Sequence, residues 1–245
     1  KISRWFLTLP TPVHLIVTNQ AFTILKTMVL SKFIWAVIFL PFFVGLIQYK
    51  KLTRSHKFLF YFIVAGTLTE LTNKALKQFF VIKSNMPLGH LYISISFIFL
   101  ALFYLYELKN FIDKKIIIAT IVLFELFSLH NVILFQSHMK FPSVPGAVSS
   151  VLMITLAILL FANIMRESNI KVLSDSSLVW INSAIILYYS GNFFYYTLFN
   201  FILSYSREFM DRTFVFFAIL NSIFYILIAI GLWKAGQTQA TRKTI

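Results

Sequence analysis

The sequence predicts an all-α, polytopic membrane protein of seven transmembrane helices, with its N-terminus outside and its C-terminus cytoplasmic. Three observations predict this. Mean hydropathy is +0.81 and only 12% of residues are charged, where a soluble domain carries about a quarter. Apolar runs of about 20 residues, the length that crosses a bilayer core as a helix, recur along the chain. Short segments rich in Lys, Arg or Pro separate them. Within 245 residues this leaves no stretch for a soluble catalytic or nucleic-acid-binding domain. The formal charge of +14 therefore reads as basic loops beside anionic lipid, not as a nucleic-acid site. Cysteine is absent, which excludes disulfide and thiol chemistry in this chain.

Residues 1–27 read as an N-terminal extension or a short interfacial helix. Pro10 and Pro12 break the chain, and the apolar run that follows, Val13–Leu25, is too short to span. Residues 28–235 read as the membrane domain. Its first helix, at about 29–49, contains Pro41 and Gly45, which predict a kink. The basic loop KKLTRSHK leads into the second, at 58–82. The third (about 88–108) follows Pro87, and the fourth covers about 115–135. The fifth (about 144–165) follows Pro142 and Pro145; the sixth and seventh cover about 178–203 and 213–233. Residues 236–245 read as a loose, polar cytoplasmic tail. Orientation follows from Lys50, Lys51, Arg54, Lys57, Lys109, Lys114, Lys115 and the basic tail. These share one side of the membrane and outnumber the basic residues of the other. Helices 1–3 and 5–7 show no internal repeat, which weighs against duplicated transporter folds.

The second helix carries the most informative pattern. Glu70, Asn73, Lys74 and Lys77 fall at i, i+3, i+4 and i+7, one polar stripe on an otherwise apolar helix. Ionisable groups at membrane depth are costly unless they face protein, water or one another. The stripe is therefore expected to face the inside of a bundle. Polar residues at similar depth elsewhere are expected to join it: Glu125, His130 and Asn131 on the fourth helix, Tyr189, Asn192 and Tyr196 on the sixth, and Asn221 and Tyr225 on the seventh. Together with the stripe they predict a ligand pocket open to the outer side, closed below by an apolar inner third. Two plainer readings stand beside this. Glu70–Lys74 also fits an ion pair that only fixes packing, and Glu125 either pairs with Lys74 or sits as a neutral carboxyl against a neighbouring Ser or Tyr.

No catalytic motif is present: there is no His-Glu-x-x-His, Gly-x-Ser-x-Gly or Walker loop, and the seventh helix holds no Lys for a retinal Schiff base. The chain is not predicted to be an enzyme. No cofactor is predicted either; His90 and His130 are the pair that a haem or chlorophyll would need.

The stretches LYYSGNFF (Leu187–Phe194) and LNSIFYILIAIGLWK (Leu220–Lys234), with the basic loop after the first helix and Glu70 in the second, resemble uncharacterised seven-helix inner-membrane proteins of Bacteroidetes-type bacteria. Such proteins are often encoded near histidine kinases, so the resemblance implies the cell inner membrane and a sensing role. It implies no catalytic residues. The expectation is a receptor-like membrane protein that binds a small or lipidic ligand and signals through a membrane-protein partner, with membrane lipids as its surroundings. The alternative is an accessory subunit of a larger membrane complex, packed on lipid or pigment; a transporter ranks below both.

Overall fold

The computed structural model describes residues 36–79, 84–135, 139–167 and 175–243. Among them the chain folds into seven helices: α1 Phe39–Gln48, α2 Arg54–Phe79, α3 Met86–Glu107, α4 Lys114–His130, α5 Ser143–Glu167, α6 Ser177–Tyr205 and α7 Arg207–Lys243. Four stretches are long and apolar enough to cross a membrane: Met86–Glu107, Lys114–Leu134, Ser143–Arg166 and Arg212–Gln237. They make this a helical, multi-pass membrane protein. α2 is also long, but its charged stripe and basic first turn dilute its apolarity; Tyr and Asn do the same in α6. The segment 1–27 lies outside the described residues.

Local chemistry sets the helix boundaries. Pro87 occupies the first turn of α3, where its missing N–H costs no hydrogen bond. Asp113 caps α4, its carboxylate accepting from the Lys115 backbone N–H at 2.9 Å. α4 then widens into a π-turn, Asn131–Phe135. Pro41 falls in the first turn of α1, and the irregularity expected at Pro41 is a turn at Ile38 just before it. Pro41 has no N–H to offer the carbonyl one turn back, at Val37. The tail differs from expectation: α7 stays helical to Lys243. Ala235 is buried and Gly236 lies directly against the Gln48 side chain of α1, so packing holds the first turn of this polar stretch.

Neighbouring helices pack in the order α1, α2, α3, α5, α6, α7, and α7 returns to α1. α4 stands outside this ring, packed mainly on α3. It is the least buried of the four long apolar stretches. The core is aromatic and aliphatic: Leu59, Phe62, Phe97, Leu100, Phe103, Tyr104, Met153, Ile181 and Phe224 are at most 1% exposed. One polar tie crosses it. The Tyr104 hydroxyl of α3 donates to Asn182 Oδ1 of α6 at 2.9 Å, and Asn182 Nδ2 donates to the Ala157 carbonyl of α5 at 2.7 Å.

α6 and α7 approach closely because Gly231 has no side chain. A Cβ there would run into Ile181 and stand 3.3 Å from the Ser177 carbonyl oxygen. Small residues permit such contacts between membrane helices. Gly231→Leu is expected to overpack this seam and cost about 1–3 kcal/mol or more. Thermal unfolding in detergent reads the loss; an unchanged Tm would mean that the seam tolerates a full side chain.

Candidate functional site

The core face of α2 runs through Leu59, Ile63 and Gly66, and the same helical register continues to Glu70 and Asn73. Its first half is closed: Leu59, Phe62 and Ile63 are at most 1% exposed. Beyond Gly66 the same face opens, leaving Glu70 and Lys74 exposed and Asn73 half-buried. The polar stripe thus continues the packing face, but at a level where the neighbouring helices no longer cover it.

Side chains from three other helices meet α2 at this transition. A Cβ on Gly66 would lie 3.4 Å from the Tyr92 hydroxyl of α3 and 3.8 Å from the Tyr225 hydroxyl of α7. One helical turn further along, the Glu70 carboxylate is within electrostatic reach of Tyr92, Tyr188 and Tyr225. The Tyr189 ring centre of α6 is 5.3 Å from that of Tyr188, Tyr196 lies near the same group, and Asn192 lies against the Tyr188 side chain. Tyr189 and Tyr225 are buried; Tyr92, Tyr188 and Tyr196 are half-buried. One turn before Tyr225, Asn221 Oδ1 is buried without a hydrogen-bond partner. The result is a cluster of tyrosine hydroxyls and amides that runs from the exposed Glu70 into the bundle. It offers hydroxyls as donors and acceptors, one carboxylate at the mouth, and one buried acceptor with capacity to spare.

Of the residues the sequence singles out, Glu70, Tyr189, Asn192, Tyr196 and Tyr225 come together around this cluster, with Asn221 one turn away. Asn73 turns to the α2–α3 connection instead, accepting from Asn85 Nδ2 at 3.0 Å. Lys77 lies on α2, and its side chain is outside the described residues. Glu125 belongs to the peripheral α4. It sits against Ser94 of α3, as in the Ser-partnered reading, and its Oε1 is buried without a hydrogen-bond partner. His130 is exposed on α4, whereas Asn131 is buried at the π-turn with Oδ1 unpartnered. His90 is buried and its Nε2 lies 3.0 Å from the Lys140 carbonyl oxygen. The two histidines thus occupy different settings, one enclosed and the other at the surface.

A second polar cluster lies at the opposite, basic end of α2, where sequence reading expects only a loop. Thr53 Oγ1 is 2.8 Å from Ser55 Oγ and 2.6 Å from His56 Nδ1. Ser55 Oγ donates to Glu107 Oε1 at the end of α3. Glu107 Oε1 is also 4.0 Å from His56 Nδ1, and His56 Nε2 is 3.2 Å from Ser177 Oγ at the start of α6. His56 is 5% exposed, and burial pushes its imidazole down from the ordinary 6.5 to about 4. The available signal was the polar run Thr53–His56 at the start of α2 and, separately, the acidic residue that closes α3. Nothing in linear order joins those residues to Glu107 or Ser177.

The chain matches no known protein family, no curated protein and no solved structure.

Proposed function

We propose that this is a receptor-like, seven-span membrane protein that binds a small hydrogen-bonding ligand in the tyrosine cluster beneath Glu70. The observation that carries this is the convergence at Gly66. Helices α2, α3, α6 and α7 direct polar groups to one place, open at Glu70 and closed below by Phe62 and Phe224, whose ring centres are 5.9 Å apart. A site of this kind suits a ligand with several donors and acceptors, and it could report binding by favouring one arrangement of four helices over another. The basic ends of the helices support an orientation with Glu70 toward the outside and the C-terminus in the cytoplasm. The resemblance to seven-helix inner-membrane proteins supports signalling through a partner by association.

The test uses molecules retained by the protein through gentle detergent purification and identified by mass spectrometry. Gly66→Leu fills the space between the Tyr92 and Tyr225 hydroxyls, while Gly66→Ala places a methyl at ordinary contact distance. A retained small molecule is expected in the wild type and in Gly66→Ala, and at least about tenfold less in Gly66→Leu, since a blocked pocket forfeits its contacts. Sizing must show the proteins equally folded. Equal retention in all three, or no retained molecule in any, would leave the cluster as core packing only.

An accessory subunit is the second reading, and α4 favours it. This helix stands outside the ring and exposes Ile118, Val122, Leu123, Leu126, Leu129 and Ile133. Purification as a stoichiometric larger assembly would support that reading.

A further inference from the structure

The face of α2 opposite the polar stripe holds a second space that the receptor reading does not use. An open cavity of about 520 Å³ lies between α2 and α3, lined among others by Tyr61, Leu68, Thr72, Leu88, Ile95 and Phe99. Its lining is mainly apolar. Even Thr69 turns its hydroxyl away, donating to the Ala65 carbonyl of its own helix at 2.8 Å. From Tyr61 to Thr72 the groove follows α2 for about 16 Å at the helical rise.

One end of this groove is cationic. Arg54, Lys57, Tyr61, Leu68 and Thr72 recur at spacings of three, four and seven, so the two basic residues share the face that lines the groove. On α3, Leu88, Ile95, Phe99 and Tyr106 recur in the same way. Aromatic rings hold the cations at the junction. The Arg54 guanidinium lies 5.0 Å from the Tyr106 ring centre, and Lys57 Nζ 5.0 Å from that of Tyr49. The Tyr49 and Tyr61 hydroxyls meet at 2.7 Å just above. An apolar channel that ends in two cations and a pair of phenols matches an amphiphile with a hydrocarbon chain and an anionic head.

We propose that this groove binds an anionic glycerophospholipid from the surrounding leaflet, one acyl chain lying between α2 and α3 and the phosphate against Arg54 and Lys57. The proposal needs only that the chain sit in a bilayer, so it stands or falls independently of the Tyr92–Tyr225 pocket. Basic residues near an anionic surface attract lipid headgroups, and the groove gives that attraction a specific place. The site would couple the lipid to the α2–α3 pair that also carries Gly66 and Tyr92.

Native mass spectrometry of the full chain, equilibrated with equal phosphatidylglycerol and phosphatidylcholine in detergent, tests it. The wild type is expected to retain phosphatidylglycerol over phosphatidylcholine by about tenfold, the order expected for two basic contacts. The double substitution Arg54→Gln, Lys57→Gln should bring the ratio close to one. Lys114→Gln, Lys115→Gln, which neutralises exposed lysines on α4, should leave it unchanged. Ala65 also lines the α2 wall of the groove, and Ala65→Trp should reduce retention of both lipids by filling it. Equal retention of the two lipids by the wild type would overturn the proposal. So would a preference that survives the Arg54/Lys57 change, or one lost equally in the Lys114/Lys115 protein. A dimer crosslinked through Ala65→Cys would assign the groove to a second copy of the chain instead.

Discussion

Tyr104→Ala is expected to destabilise the protein by about 3–5 kcal/mol, the range for removing a large buried aromatic side chain. Tyr104 is fully enclosed, and its ring packs 5.2 Å from that of Phe103. Its hydroxyl also begins the tie from α3 through Asn182 of α6 to the Ala157 carbonyl of α5. Two effects therefore compete to explain any loss, and magnitudes separate them. An interhelical hydrogen bond within a membrane bundle contributes about 0.6 kcal/mol on average and rarely above about 1.7. The lost ring volume costs several times that. Tyr104→Phe should thus retain most of the stability, Asn182→Leu should lose an intermediate amount because it strands the Tyr104 hydroxyl, and Tyr104→Ala should be worst. Equilibrium unfolding in mixed micelles gives the order. If Tyr104→Phe were as damaging as Tyr104→Ala, the polar tie rather than packing would dominate the junction.

The contrast between these terms also explains what could be read from sequence. Helix positions were legible because bilayer-scale apolar runs and proline punctuation are local properties. The face of α2 was legible for the same reason: Leu59, Ile63, Gly66 and Glu70 obey one helical period. The depth to which neighbours cover that face was not, because it depends on how α3, α6 and α7 pack around it. Glu70 therefore lies on the expected face yet is exposed. Tyr188 escaped notice as a site residue because the series Tyr189, Asn192 and Tyr196 follows one helical spacing that skips it. Only the fold places it beside Glu70, with its ring stacked 4.3 Å from Phe224. Glu125 illustrates the reverse. A mid-membrane carboxylate looked like a partner for Lys74, but α4 packs outside the ring, and Ser94 is the neighbour that the chain order α3–α4 supplies.

The His56 cluster leads to the second large effect, a loss of stability in mild acid. His56 sits ahead of the apolar run of α2, enclosed by Thr53, Ser55, Glu107 and Ser177. Burial holds the folded imidazole near 4, below its ordinary 6.5. Above 6.5 the ring is neutral in folded and unfolded chains alike, and its contribution is complete. As pH falls from 6.5 toward 4 the unfolded chain takes up a proton that the folded chain refuses, so stability drops through this window and levels below it. The shift corresponds to about 3 kcal/mol at full extent. His56→Gln removes the titration while keeping a polar side chain in the cluster. Unfolding free energies measured from pH 7.5 to 4 should fall steeply for the wild type and much less for His56→Gln. Parallel profiles would mean that the Glu107 carboxylate at 4.0 Å compensates the imidazolium, and that the three helix ends tolerate a charge at their junction.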